Sequence, residues 1–276
     1  MRFVAVLCIW LSLSVIGTAF AAESSPASPL VVGETFVLAS GTLGETRRIN
    51  VYLPPGYAER PDARVPVLYM PDGGLAEDFL HIAGLMQVSM SNGTMRSFLL
   101  VAIENTQRRR DLTPPTDNAE DKKIAPVVGG SAAFRRFLRE ELMPEIAKRY
   151  RITDERAIVG ESLAGLFVIE TFLREPELFD HYLAFDPSLW WDDRRLLDDV
   201  APMLRGHAEL RKSLWLASSD MRDIADATAI FARALEAEAP KGLRWRYLPM
   251  PEEHHWTIYH PAALRAFREE FAPAKE

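Results

Sequence analysis

Short apolar runs rich in β-branched and aromatic residues, at 65–70, 98–103, 157–159, 182–185, 213–217 and 244–248, recur along the chain with helical patterns between them. A strand that is followed by a helix re-enters a sheet parallel to its predecessor, and a parallel sheet needs cover on both faces. The alternation therefore predicts an α/β fold with a mostly parallel central sheet and helices on both faces. Ahead of it, residues 35–38 and 48–53 read as two strands joined by a turn at 41–44, an N-terminal antiparallel hairpin closed by Pro54-Pro55-Gly56. Phe134, Phe137, Leu138, Leu142 and Ile146 recur at helical spacing between Ser131 and Tyr150, with Pro144 expected to bend that helix. Further helices are expected over 163–175, 193–204, 223–238 and 261–271. No linker or repeat divides the chain, which predicts a single domain over 31–276 after a flexible leader at 22–30.

Arg2 followed by an apolar run from Phe3 to Ile16 and then small residues reads as a secretory signal peptide over 1–21, with Ala19-Phe20-Ala21 as the cleavage triplet. The run is short for a membrane span of about 20 residues. No stable membrane insertion is expected once it is removed. Cleavage also takes away Cys8, the only cysteine, so the mature chain has no thiol, which suits an oxidising compartment and predicts a periplasmic or secreted protein. Apolar residues at 48% provide for a sizeable core, and a net charge of −7 gives no overall positive field for a phosphate backbone. Nucleic acid is excluded as an expected partner. Oligomeric state is not legible.

The segment carrying the chemistry is Ala157-Ile158-Val159-Gly160-Glu161-Ser162-Leu163-Ala164-Gly165. A buried strand runs into a serine among small residues and then directly into a helix, the context of a nucleophile elbow. Ala164 stands where the G-x-S-x-G pattern has glycine. A capping serine at a strand-to-helix turn is the bland alternative. Partners are expected in the order serine, acid, histidine. Asp220 and Asp223 follow the next-to-last strand, and His254 and His255 follow the last one. Adjacent side chains diverge, so one histidine is expected to face the serine and the other to be peripheral. No H-E-x-x-H motif is present and the spacing to His260 fits no zinc signature, so no metal is expected.

Several stretches together resemble the esterase D branch of the α/β-hydrolases, and within it the exported enterochelin-esterase-like group. They are residues 67–73, Asn105 to Pro114, Gly129-Gly130-Ser131 with the helix through Pro144, the elbow, and Asp186-Pro187-Ser188-Leu189-Trp190-Trp191. The resemblance covers nearly all of the mature chain. It implies an α/β-hydrolase fold without metal or organic cofactor, Ser162 as nucleophile, and the amides of Leu163 and Gly74 as oxyanion hole. It favours His254 over His255, because Trp256 matches a position two residues after the family's histidine. Asp220 is the favoured acid, with Asp223 or a serine–histidine dyad as alternatives. Trp190, Trp191 and Arg108 are candidate substrate contacts, for stacking and for an anionic group respectively. The implied function is hydrolysis of carboxylic esters through an acyl-enzyme, with a small-molecule ester, and ferric-siderophore trilactones foremost, as substrate. The alternatives are a general acyl or aryl esterase, an acyltransferase, and a catalytically silent binding protein of the same fold.

Overall fold

The computed structural model describes residues 25–274, so the expected signal segment lies outside the described residues. Residues 25–31 contain no helix or strand, and the chain from Val32 onward forms one compact unit. Its eight strands are β1 (Glu34–Ser40), β2 (Glu45–Tyr52), β3 (Val65–Pro71), β4 (Leu99–Ile103), β5 (Ile152–Glu161), β6 (His181–Phe185), β7 (Ser213–Ser218) and β8 (Arg244–Pro249). They form one sheet in the order β1-β2-β4-β3-β5-β6-β7-β8. β1 and β2 are the expected antiparallel hairpin, β2 also runs antiparallel to β4, and every pair from β4 to β8 is parallel.

Successive strand residues point to opposite faces, and in the central strands β3, β4 and β7 both faces are buried. Val67 and Tyr69 of β3 pack with Phe134, Leu166 and Phe167 on one side, while Leu68 and Met70 pack with Phe79, Ile82, Ala262 and Phe267 on the other. The helix Phe79–Ser91, which the sequence pattern did not single out, and the helix Tyr259–Glu270 cover that second face together.

Two helices depart from expectation. The helix beginning at Ser131 passes through a π-helical segment, Leu138–Leu142, before resuming as Met143–Arg149. Pro144 has no N–H and its ring would strike the carbonyl four residues back, and the wider turn ahead of it relieves both problems. The helix expected over 193–204 is instead three short pieces, Trp191–Arg194, Arg195–Asp198 and Val200–Gly206. Asp192, Asp193 and Arg194 have φ of 50°, 52° and 68°, which no right-handed helix accommodates.

The carboxyl ends of the parallel strands share one rim. Strand order reverses there between β3 and β5, the crevice where open α/β sheets bind ligands. In the β5–β6 ladder Glu161 pairs opposite Phe185, so the next residues, Ser162 and Asp186, leave the sheet at the same level.

Candidate active site

Ser162 has φ 61° and ψ −120°, between the end of β5 and the helix Leu163–Arg174. An L-residue holds that conformation only where its surroundings over-determine it. Two backbone bonds fix it: the Ser162 amide donates to Phe185 O at 3.0 Å, and the Ser188 amide donates to Ser162 O at 3.0 Å. A side chain on Gly160 would meet the backbone of Ala164 at 2.6 Å, and one on Gly165 would meet Phe185 O and Pro187 at 3.0 Å. The elbow thus admits no side chain at 160 and only a tight one at 165, and with Gly160 in place it accepts the methyl of Ala164. The departure from G-x-S-x-G is a local repacking.

Ser162 Oγ lies 3.1 Å from His255 Nε2, and His255 Nδ1 lies 2.7 Å from Asp186 Oδ2. An ionised carboxylate only accepts, so with Asp186 charged the ring carries its proton on Nδ1 and offers Nε2 as acceptor to the serine hydroxyl. Asp186 is fully buried, and it also accepts the Ser219 amide at 2.7 Å and the Ser219 hydroxyl at 2.6 Å. The hydrogen bond to Asp186 raises the His255 pKa above its usual value against the opposing effect of burial, and the Glu161 carboxyl adds to the rise.

This geometry corrects the expected partners. His254 points away from Ser162: its Nδ1 lies 2.7 Å from Asp220 Oδ2, and the two side chains are 52% and 43% exposed. The histidine and acid expected from sequence do meet each other, but out in solvent, while their neighbours reach the serine. The two adjacent side chains in the turn after β8 diverge, His254 to Asp220 and His255 to Ser162. The carboxylate that meets the serine-facing histidine comes one strand earlier than the expected acid, after β6 and not after β7. Asp223 sits in the first turn of the helix Arg222–Glu238. The sequence signal for Asp186 was present as an aspartate before proline directly after an apolar run, quoted above without a role.

Leu163 begins its helix directly after the serine, so its amide has no intrahelical acceptor. Gly74 does not offer a free amide, because its N–H donates to Glu77 Oε2 at 2.6 Å. Arg108 is committed as well: Nε and Nη2 grip Asp72 in a two-pronged pair at 2.7 and 2.8 Å. Its charge nevertheless reaches His255 and Glu161. Trp191 is a packing residue, 1% exposed, with its indole N–H on Pro114 O at 3.0 Å. It borders a separate cavity of about 460 Å³ with Glu170 and Arg135. Trp190 is half-buried against the core. Among the described residues the exposed aromatic is Trp256, 80% accessible and stacked on the His254 ring at 5.1 Å, a residue that served above only as a landmark. It borders a cavity of about 430 Å³ together with His255, Glu161 and Tyr259.

Glu161, Asp186 and His255 bring ligand-type atoms within 4.8 Å of one another. Both ring nitrogens of His255 are already engaged, and a cation would have to displace the proton shared with Asp186.

The profile of the family described as "Putative esterase" matches residues 40–238. Ferri-bacillibactin esterase BesA of Bacillus subtilis (strain 168) is 30% identical over 174 residues, covering 57% of this chain and 60% of that protein. A siderophore enterobactin esterase of Emericella nidulans is 32% identical over 116 residues, 39% of this chain and 38% of that protein. The matched stretches thus span less than two thirds of these relatives' own length. Among solved structures, an IroE-like serine hydrolase from Shewanella oneidensis superposes with a TM-score of 0.78 at 31% identity, covering 87% of this chain and 80% of that one. The siderophore hydrolase EstB from Aspergillus nidulans shares the fold at a TM-score of 0.74 and 20% identity, covering 92% and 100%. With an N-terminal hairpin leading into a parallel sheet, a serine at the β5 elbow, and a family profile that runs from the hairpin to beyond β7, this chain belongs to the putative esterase family.

Proposed function

We propose that the protein is a serine esterase working through an acyl-enzyme, with Ser162 as nucleophile, His255 as general base and acid, and Asp186 as the carboxylate that orients the ring. The observation that carries this reading is the unbroken chain from Ser162 Oγ through His255 to buried Asp186 at 3.1 and 2.7 Å. A serine hydroxyl is a weak nucleophile. His255 Nε2 takes its proton as Oγ bonds to the ester carbonyl carbon, and then gives that proton to the departing alkoxide as the C–O bond breaks. Water repeats the sequence on the acyl-enzyme, releasing the acid and restoring the hydroxyl. Asp186 offsets the charge on the imidazolium. The Leu163 amide, at a helix N-terminus, donates to the oxyanion. Storing a strained serine beside an aligned imidazole has a cost that a binding protein has no use for, which argues against a catalytically silent role.

For substrate we propose the siderophore esters acted on by the relatives named above. Trp256 is the exposed ring beside the histidine, so it takes the place expected of Trp190 or Trp191 as the stacking surface for an aromatic acyl group. The N-terminal charge and apolar pattern supports export to the periplasm or beyond. No helix among the described residues is long and apolar enough to cross a membrane.

The test is labelling with a fluorophosphonate and mass mapping, which should find the adduct on Ser162. Comparing kcat/KM for a catecholate trilactone and a simple aryl acetate then fixes the substrate class. A clear preference for the acetate removes siderophores and leaves the Ser162 chemistry in place.

A further inference from the structure

His255 Nδ1 faces two carboxyl groups. Asp186 Oδ2 accepts at 2.7 Å, while Glu161 Oε1 stands 3.3 Å from the same nitrogen without the alignment of a hydrogen bond. That Glu161 oxygen is buried and has no hydrogen-bond partner. Buried polar atoms are paired as a rule, so an unpaired one beside reacting groups calls for an explanation. Glu161 is the last residue of β5, held opposite Phe185 and directly before Ser162, so the turn that fixes the nucleophile fixes this carboxyl too.

The groups around Glu161 come from every neighbouring element. They are Asp186 after β6, His255 after β8, and Arg108 held on Asp72 after β3, with Asp78 and His81 of the β3 loop and helix and Tyr259 and His260 of the last helix across the cavity. The Tyr259 hydroxyl is also buried without a partner. Burial, reinforced by Asp186 and Asp72, pushes the Glu161 pKa up to about 8, against the pull of His255 and Arg108. Burial thus favours the protonated carboxyl as long as the ring beside it is neutral. A positive ring 3.3 Å away favours its ionised form.

We propose that Glu161 is a positioning residue for His255, a second carboxyl acceptor that shares the Nδ1–H with Asp186 when the ring is charged and takes over from Asp186 when that carboxylate is removed. This rests on the serine-esterase reading of Ser162 and His255.

The test is a double-mutant cycle on the full chain, measuring kcat and KM across pH for wild type, Glu161→Gln, Asp186→Asn and the double variant. Glu161→Gln should lower kcat about two- to tenfold with KM little moved, within the range of coupled neighbours. It should also shift the acid limb of the rate to lower pH, because the carboxyl that a charged ring draws toward ionisation, and that in turn helps hold the proton on His255, is gone. Asp186→Asn should keep a residual rate that climbs with pH as Glu161 ionises, at a midpoint below about 8 because the Asp186 charge no longer opposes ionisation. The double variant should lose that climb and fall at least about tenfold below the product of the single losses. Independent losses, with the same pH profile in Asp186→Asn and in the double variant, would overturn the proposal. If Asp186→Asn does not fold, an unshifted acid limb in Glu161→Gln overturns it alone. Fluorophosphonate labelling of wild type separates the two failures: no adduct on Ser162 sinks the esterase reading, whereas an adduct with an additive cycle sinks only the role of Glu161.

Discussion

Ala164 places its methyl group against the bare α-carbon of Gly160, and a Cβ at Gly160 would stand 2.7 Å from that methyl. Gly160→Ala should destabilise by about 1–3 kcal/mol, as overpacking of a closed core site does, and should lower kcat by displacing Ser162. Ala164→Gly, which restores the common elbow pattern, should cost about 1 kcal/mol through helix propensity and leave the rate nearly intact. Thermal melts and ester turnover on the two variants check this. Equal behaviour would mean that the contact carries no strain.

Removing the nucleophile should separate activity from stability. Ser162→Gly should abolish turnover and raise the melting temperature, because glycine occupies φ 61° without the cost of about 1–3 kcal/mol that a side chain incurs there. An unchanged or lower melting temperature would show that the side chain's packing outweighs the strain.

The two adjacent histidines should behave oppositely. His255→Ala should be as severe as loss of Ser162, since residues acting as one unit have non-additive effects. His254→Ala and Asp220→Asn remove an exposed pair worth about 0–1 kcal/mol, and each should keep most of the rate. Side-by-side kcat/KM values decide, and a severe His254→Ala would reverse the assignment.

The base must be neutral to accept the serine proton, so the rate should rise with pH through the His255 pKa, with a midpoint above the ordinary 6.5. Stability should run the other way. A histidine whose pKa is raised by folding contributes stability that is fully present below about 6.5 and lost as pH rises through the folded value. Ser162→Ala keeps the ring and removes the turnover, so its melting temperature should still carry the His255 contribution, and His255→Gln should lack it. A rate midpoint below 6.5 would contradict the ion pair with Asp186.

The sheet, the hairpin and the serine turn were legible because they rest on local patterns: β-rich apolar runs, a glycine turn, and small residues between strand and helix. The histidine was not, because two adjacent candidates differ only in which way a short turn faces. The acid was missed because Asp186 and Asp220 both follow apolar strands, and only the neighbouring Ser219 donors and full burial mark Asp186. Arg108 looked like a free cation, and the Asp72 that satisfies it lies 36 residues earlier in the chain. Trp190 and Trp191 drew notice as a pair, whereas Trp256 owes its importance to exposure, which a sequence does not record.

Ser162 and Asp186 step off neighbouring strands that are paired in register, and backbone bonds from Ser162 to Phe185 and Ser188 tie them together. His255 arrives separately, on a turn beyond β8, two strands from Asp186 across the sheet. Nucleophile and acid therefore share one mount, and the imidazole is carried by another. Warming the protein should loosen that turn before it parts β5 from β6, so that catalysis fails at a temperature where the sheet is still whole, and cooling at that stage should restore it in full.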